Sequence, residues 1–151
     1  MTKNRCLLNG AMAALLVAVP VTGCEAKEQP GGGNLQGFGS MDEAYTAIDD
    51  VLACEADPVG DPIVPMGDGI RLASAQKLCF EKVQIDLFAD EKAFRETYQI
   101  LSDSNQGKIH LVHGVNWMVV DFTEMATGQP STRDIERLAE KLNGEYVTLG
   151  L

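Results

Sequence analysis

Residues 109–122 read IHLVHGVNWMVVDF, and they predict the two central strands of a sheet. Gly114 followed by Val115 suits a tight hairpin of the Gly-x type, with strands at 109–113 and 116–122. In the second strand, apolar side chains occupy both alternating sets of positions, which is typical of a strand buried on two faces. A sheet that is covered on both sides is therefore expected.

The residues before this hairpin predict a further strand and a helix. Residues 79–87 alternate in polarity, with Lys82, Gln84 and Asp86 on the polar face of a strand. Asp90 is then placed to cap a helix whose apolar residues recur at helical spacing. A strand followed by a helix therefore leads into the hairpin.

From Lys82 onward, the predicted order is strand, helix, strand, strand, helix, strand. A box-like cap at 131–134 begins the second of these helices, and residues 145–149 form the last strand. This order resembles the ferredoxin-like split βαβ sandwich (βαββαβ). The resemblance implies an α+β fold in which both helices cover one face of an antiparallel sheet.

An N-terminal helix is predicted to precede this unit. Ser40 is its N-cap, Glu43 completes a capping box, and apolar residues recur at helical spacing until about Cys54. We expect this helix to pack on the second face of the sheet, held there by a bond between Cys54 and Cys79. Residues 55–69 contain three prolines and three glycines and predict a loop.

The start of the chain has the features of an export signal. Lys3 and Arg5 give a basic start, and an apolar stretch over 7–19 follows. A membrane-spanning helix needs about 20 consecutive apolar residues, so this stretch is too short to remain as a span. The segment is therefore predicted to be removed.

The residues that follow the apolar stretch indicate which kind of signal this is. Val21-Thr22-Gly23-Cys24 resembles the lipobox of bacterial lipoproteins. The resemblance implies cleavage before Cys24 and a diacylglyceryl group on its sulfur, and two acyl chains of the palmitate type are enough for stable anchoring. The alternative is an ordinary cleaved signal peptide with an incidental cysteine.

Three segments follow from this reading of the chain. Residues 1–23 are the signal peptide. Residues 24–39 are the lipidated cysteine and a flexible, glycine-rich linker. Residues 40–151 form a single α+β domain, which we expect on the extracytoplasmic face of the cell membrane.

The cysteines predict one structural bond. Cys6 leaves with the signal and Cys24 carries lipid, so Cys54 and Cys79 remain as a pair in an oxidising compartment. The alternative is a redox-active pair. Catalytic thiols are usually found in a Cys-x-x-Cys turn, whereas 24 residues separate these two.

The charge of the chain excludes one class of partner. The sequence has 12 basic and 22 acidic residues, a net charge of −10. Because Lys3 and Arg5 would leave with the signal, the remaining chain is still more acidic. A strongly acidic surface repels nucleic acid, so no nucleic-acid partner is predicted.

Catalytic and metal-binding motifs are weak in this sequence. His110 and His113 have a His-x-x-His spacing, which suggests a metal site. Residues three apart on a strand point to opposite faces, so these two side chains cannot chelate one ion. A single histidine could still act as a general base. Asp121 and Glu124 form a potential carboxylate pair. We expect Trp117 to pack in the core, the alternative being the wall of a ligand cleft.

The acids of the proline-rich loop, such as Asp57, Asp61 and Asp68, do not have calcium-loop spacing. No cofactor and no metal is therefore predicted. In size, cysteine count, element order and residues 114–117 (GVNW), the chain resembles small secreted lipoproteins of actinobacterial envelopes that have no assigned activity.

Three functions remain open from the sequence. The first is a non-enzymatic envelope lipoprotein, tethered at Cys24, that binds a protein partner or a small ligand. The second is an envelope hydrolase or other enzyme with an unrecognised site. The third is a thiol–disulfide protein that uses Cys54 and Cys79.

Overall fold

The structure is a computed structural model, and it describes residues 34–150. The predicted signal peptide at 1–23 and Cys24 lie outside the described residues. The elements, in chain order, are α1 (Met41–Leu52), β1 (Met66–Gly67), β2 (Ile70–Arg71), β3 (Ala75–Phe80), β4 (Val83–Leu87), α2 (Glu91–Ser102), β5 (Ile109–His113), β6 (Trp117–Asp121), α3 (Thr123–Thr127), α4 (Glu136–Lys141) and β7 (Glu145–Leu149). Within this part of the chain, no helix has the length and apolar character needed to cross a membrane.

Five strands form one antiparallel sheet in the order β3-β4-β6-β5-β7, and β1 and β2 form a small separate ribbon. The predicted hairpin is present as β5 and β6, whose register pairs His110 with Asp121 and His113 with Met118. β6 is central, and every residue from Trp117 to Asp121 is buried. The prediction of an α+β fold with an antiparallel sheet is therefore confirmed.

The ferredoxin-like arrangement is not confirmed, because the two crossover helices lie on opposite faces of the sheet. β4 and β5 run parallel with β6 between them, and β6 and β7 run parallel with β5 between them. Both crossovers advance towards the β7 edge, but they leave from strands of opposite direction. Right-handed connections therefore place α2 and α4 on opposite faces. Because β3 already pairs with the outer edge of β4, β7 pairs with β5 instead.

Each face of the sheet has its own core. α1 and α4 cover one face, where the buried residues include Ile48, Ile85, Val112, Trp117, Val119, Leu138 and Leu142. α2 covers the other face, where they include Phe88, Leu101, Ile109, Leu111, Met118, Val120 and Phe122. This two-sided burial explains why both sets of alternating positions in β6 are apolar.

α1 begins where the capping box places it and is attached to the sheet at its end. The Ser40 hydroxyl accepts a hydrogen bond from the Glu43 amide at 3.2 Å. Just beyond the helix, Cys54 is bonded to Cys79 in β3. Cys79 is fully buried at a register shift between β3 and β4. α1 therefore covers the same face of the sheet as α4. The expectation that α1 alone covers the second face is wrong.

The predicted linker does not extend to residue 39, because residues 34–39 pack on the domain. We call these residues the N-terminal strap. Phe38 is buried and its ring centroid lies 5.4 Å from that of Trp117. The Asn116 side chain bonds to both backbone polar groups of Phe38, at 2.9 and 2.8 Å. The packed domain therefore begins before Ser40, and a single aromatic residue in a glycine-rich run was the missed signal.

Gly114 has a different role from the one that the sequence predicts. Its φ is not positive, so the turn does not require glycine there. A Cβ atom at this position would instead overlap Trp117 Nε1 and the Gln36 carbonyl oxygen. These two atoms are hydrogen-bonded to each other at 2.9 Å. Gly114 therefore gives the strap room to approach the indole ring.

The predicted strand at 79–87 is in fact a hairpin of β3 and β4, and its polar face is buried. Gln84 and Asp86 are 1% and 0% exposed. The loop that follows α1 covers them, and the backbone of Ile63 bonds to the Gln84 side chain at 2.8 and 3.0 Å. The alternating pattern could not reveal this cover, because the loop lies far away in sequence.

Burial of Asp86 predicts a measurable pH dependence. Loss of solvation raises the pKa of Asp86 from 3.8 to about 6, although hydrogen bonds from Gln76 and Gln84 partly oppose this rise. The folded state therefore holds the proton more tightly than the unfolded state. The resulting stabilisation is fully present below about pH 4 and is lost as the pH rises to about 6, which amounts to about 3 kcal/mol.

Asp86→Asn should remove this dependence. Urea unfolding at pH 4, 5 and 6 should show that the free energy of unfolding of the wild type falls relative to that of the variant as the pH rises. Asp50→Asn, which changes an exposed acid of α1, is the control and should keep the wild-type slope. Equal slopes in the wild type and Asp86→Asn would contradict the prediction.

Candidate functional site

The register of three strands brings chemically active side chains into one row. Asp121 of β6 lies opposite His110 of β5, and His110 lies opposite Thr148 of β7. Directly paired residues of an antiparallel sheet point to the same face. Tyr146 is two residues before Thr148 and therefore shares this face. The row lies at the end of the face that α1 and α4 cover.

The turn after β6 brings a second acid to the row. Asp121 Oδ1 accepts a hydrogen bond from the Thr123 amide at 2.8 Å, so that α3 begins immediately after the strand. Glu124 therefore lies over β5, with Oε2 at 3.0 Å from His110 Nε2. α3 was not predicted, because Thr123–Thr127 is too short for a periodic signal.

The hydrogen bonds of His110 indicate the tautomer of its neutral ring. The bond from His110, with help from nearby Lys108, lowers the pKa of Glu124 below its usual range. An ionised carboxylate only accepts, so Nε2 carries the hydrogen and donates to Glu124. In the neutral ring, Nδ1 then accepts from the Tyr146 hydroxyl, which lies 2.8 Å away. Tyr146 then has no second proton to donate, and its oxygen accepts from the Thr148 hydroxyl at 3.4 Å.

Asp121 is the least satisfied group of the row. The residue is 0% exposed, and while Oδ1 is bonded to Thr123, Oδ2 has no hydrogen-bond partner. A buried polar atom without a partner is unfavourable, and such atoms in native proteins call for a ligand, a water or an ion. Asp121 faces a pocket of about 180 Å³.

This cavity, the His110 pocket, is rich in acids. Its walls contain His110, Asp121, Glu124, Pro130, Ser131, Arg133, Asp134, Ile135, Glu136 and Tyr146. Apart from His110, Arg133 is the one basic residue among them. Its guanidinium lies 3.8 Å from the centre of the Phe80 ring and 3.5 Å from Glu55 Oε1. Arg133 is therefore held by Phe80 and Glu55, which lie outside the pocket walls. Most of the polar atoms in the walls are acceptor oxygens.

The loop from α3 to α4 closes the pocket in a way that the sequence did not indicate. The predicted box at 131–134 does not cap α4, because the Ser131 hydroxyl accepts from the Arg133 amide at 3.1 Å. α4 begins only at Glu136, without a side-chain cap. The local turn at Ser131 instead forms one wall of the pocket.

The other predicted residues lie away from this pocket. His113 is on the opposite face, with ring centroids at 5.3 Å from Phe94 and 6.0 Å from Tyr98, as the spacing predicts. Trp117 is fully buried in the core. Asp57 and Asp61 are exposed. Among residues 34–150, no group of three or more His, Cys, Asp or Glu side chains is arranged to hold a metal ion.

A second, larger groove has fewer ionisable side chains in its walls. It measures about 600 Å³ and lies beside Ile63, Ile100 and Met125. Its acid, Asp103, is exposed, and no buried ionisable group faces it. A ligand site normally has a few convergent polar groups, and the His110 pocket fulfils this condition better.

Sequence reasoning found parts of this site separately. It considered His110 as a base and Asp121 with Glu124 as an acid pair, and the structure brings these three together. It missed Tyr146, Arg133 and Ser131. The register of β5 with β7 was the signal for Tyr146, but it requires knowing that these strands pair.

Comparison of the chain with protein-family models, with curated proteins and with solved structures finds no match.

Proposed function

We propose that this chain is a lipid-anchored protein of the cell envelope whose domain binds a small ligand in the His110 pocket without transforming it. The observation that carries the proposal is Asp121, a fully buried acid that lines the pocket and whose Oδ2 has no hydrogen-bond partner. An unpaired buried oxygen gives a ligand with a donor group a reason to bind.

The hydrogen bonds of His110 bear on whether this row of residues could catalyse a reaction. A general base needs a ring nitrogen that can take a proton from a substrate or nucleophile. Both nitrogens of His110 are already hydrogen-bonded, to Tyr146 at 2.8 Å and to Glu124 at 3.0 Å. The Thr148 hydroxyl, at 3.3 Å, competes with Tyr146 for the same nitrogen and is the more distant of the two. Glu124, His110 and Tyr146 follow the order carboxylate, imidazole and hydroxyl, in which a histidine can act as base towards the hydroxyl. This order supports an enzyme as the second candidate function.

The thiol–disulfide alternative has less support. Exchange requires a thiolate to reach a disulfide sulfur. Cys79 is 0% exposed, and the Cys54–Cys79 bond joins α1 to the sheet. This placement favours a structural role.

The anchor rests on Val21-Thr22-Gly23-Cys24 and on the basic, apolar segment before it. Cys24→Ser should move the protein from the membrane fraction into the aqueous phase, because it removes the sulfur that would carry the acyl chains. Detergent phase partitioning of cell extracts measures this. Cys6→Ser is the matched control and should leave partitioning unchanged. Continued partitioning of Cys24→Ser into detergent would refute the anchor.

Binding can be tested by thermal unfolding of the full chain in mild detergent against panels of small amines, carboxylates, polyols and divalent cations. A ligand at 100 times its Kd adds about 2.7 kcal/mol to the free energy of unfolding, which raises Tm by several degrees. Asp121→Asn should abolish the shift, because it replaces the free oxygen with an N–H donor. If no compound gives a shift that depends on Asp121, the proposal is wrong.

A further inference from the structure

We infer that the His110 pocket takes a primary ammonium group of a small molecule. The inference rests on the proposed binding function and names the chemical class of its ligand. Asp121, which lines the pocket, supplies the central group. Its Oδ1 is held by the Thr123 amide at 2.8 Å, which fixes the carboxyl group, and its buried Oδ2 has no hydrogen-bond partner. A donor on the ligand would complete the bonding of this oxygen.

Two further groups at the pocket, Tyr146 and Glu124, also present acceptor oxygens. With a neutral His110 ring, Tyr146 donates to Nδ1 and its oxygen accepts, which it already does from the Thr148 hydroxyl at 3.4 Å. Ionised Glu124 has acceptors only. An ammonium group has three N–H donors and no acceptor. It therefore matches the number and the polarity of these oxygens better than a carboxylate or a phosphate does.

Charge favours a cation in the same way. Asp134 and Glu136 add two exposed acids to the walls of the pocket. The one basic wall residue apart from His110, Arg133, is stacked on Phe80 and directed to Glu55. Glu124 already contacts His110 at 3.0 Å and Lys108 at 3.6 Å, so Asp121, Asp134 and Glu136 are the carboxylates that a positive ligand would meet.

Size and geometry narrow the class further. A volume of about 180 Å³ corresponds to about six water molecules. Drug-sized ligands occupy pockets of roughly 300–1,000 Å³. The pocket therefore fits an alkylammonium head group with a few carbon atoms. Within residues 34–150, no cluster of three metal-ligating side chains exists, so a coordinated divalent cation is a poorer match.

The test uses three salts with the full chain in mild detergent: methylammonium, propylammonium and tetramethylammonium chloride at equal ionic strength. Tetramethylammonium has the same charge but no N–H donor. We expect the two primary amines to raise the unfolding midpoint by several degrees at saturation, and tetramethylammonium to leave it unchanged. A shift of equal size with all three salts, or with none, would overturn the inference.

Variants test whether the ammonium ion binds in the His110 pocket. Asp121→Asn should lower the affinity for propylammonium at least tenfold, measured by calorimetric titration. Glu140→Gln is the control: it removes one exposed acid of α4 that is not in the wall of the pocket, and this variant should bind propylammonium as the wild type does. If Asp121→Asn does not fold, Tyr146→Phe removes another acceptor and should also weaken binding. Unchanged affinity in the pocket variant that folds would overturn the inference.

The two proposals can fail separately. A shift that depends on Asp121 with a polyol, a carboxylate or a divalent cation, but not with primary amines, would overturn the ammonium assignment and leave the binding function standing. The absence of any such shift across all classes would overturn both.

Discussion

Trp117→Ala should lower the free energy of unfolding by about 3–5 kcal/mol, the range measured when a large aromatic residue is removed from a core. Trp117 is 0% exposed and contacts Phe38 in the core beneath α1 and α4. The substitution also removes the bond from Nε1 to the Gln36 carbonyl. Part of the loss is therefore undocking of the N-terminal strap.

Trp117→Phe separates these two contributions. It keeps a ring against Phe38 but removes the indole N–H, and it should cost clearly less than the alanine variant. Urea unfolding followed by circular dichroism measures both, since Trp117 is the one tryptophan of the chain and fluorescence is lost. A loss below about 1 kcal/mol for Trp117→Ala would show that the strap and the indole ring contribute little.

Removal of the disulfide should have an effect of similar size. Cys54 and Cys79 are 25 residues apart, and a loop of this length corresponds to roughly 3–4 kcal/mol in the chain-entropy treatment. The double variant Cys54→Ala/Cys79→Ala should therefore unfold at a clearly lower urea concentration than the wild type. The end of α1 should be the part of the domain that is destabilised most, because the disulfide attaches that end to β3.

Two controls accompany this measurement. Cys24→Ser removes a cysteine outside the bridge and should leave the stability of the domain unchanged. Mild reductant should open the wild-type bond only slowly, because Cys79 is buried. Rapid reduction with no loss of stability would contradict a structural role and revive the thiol–disulfide alternative.

Elements with local signals could be predicted from the sequence. Ser40 and Asp90 both accept the capping hydrogen bonds that their positions predict, at 3.2 and 2.9 Å. The hairpin of β5 and β6 is present because alternation and the break at residues 114–116 are local features. The opposite faces of His110 and His113 follow from the two-residue period of a strand.

Features that depend on distant partners could not be predicted. The position of β7 depends on the edge that β3 leaves open, and element order alone does not contain this information. Gln84 and Asp86 have the polarity of a solvent face, but a remote loop buries them. The His110 pocket combines residues from β5, β6, α3, β7 and the loop before α4. Only the pairing of the strands brings these residues together.

The N-terminal strap has a consequence for the order in which the chain folds. The Asn143 side chain donates to the Asn34 carbonyl, a contact between residues 109 positions apart. Gln36 likewise bonds to the backbone of Asn143, at 3.2 Å. These contacts of the strap can therefore form only after Asn143 has been synthesised, and closing so long a loop carries an entropy cost. Docking of the N-terminal strap is therefore one step of folding that cannot accompany synthesis of the earlier strands.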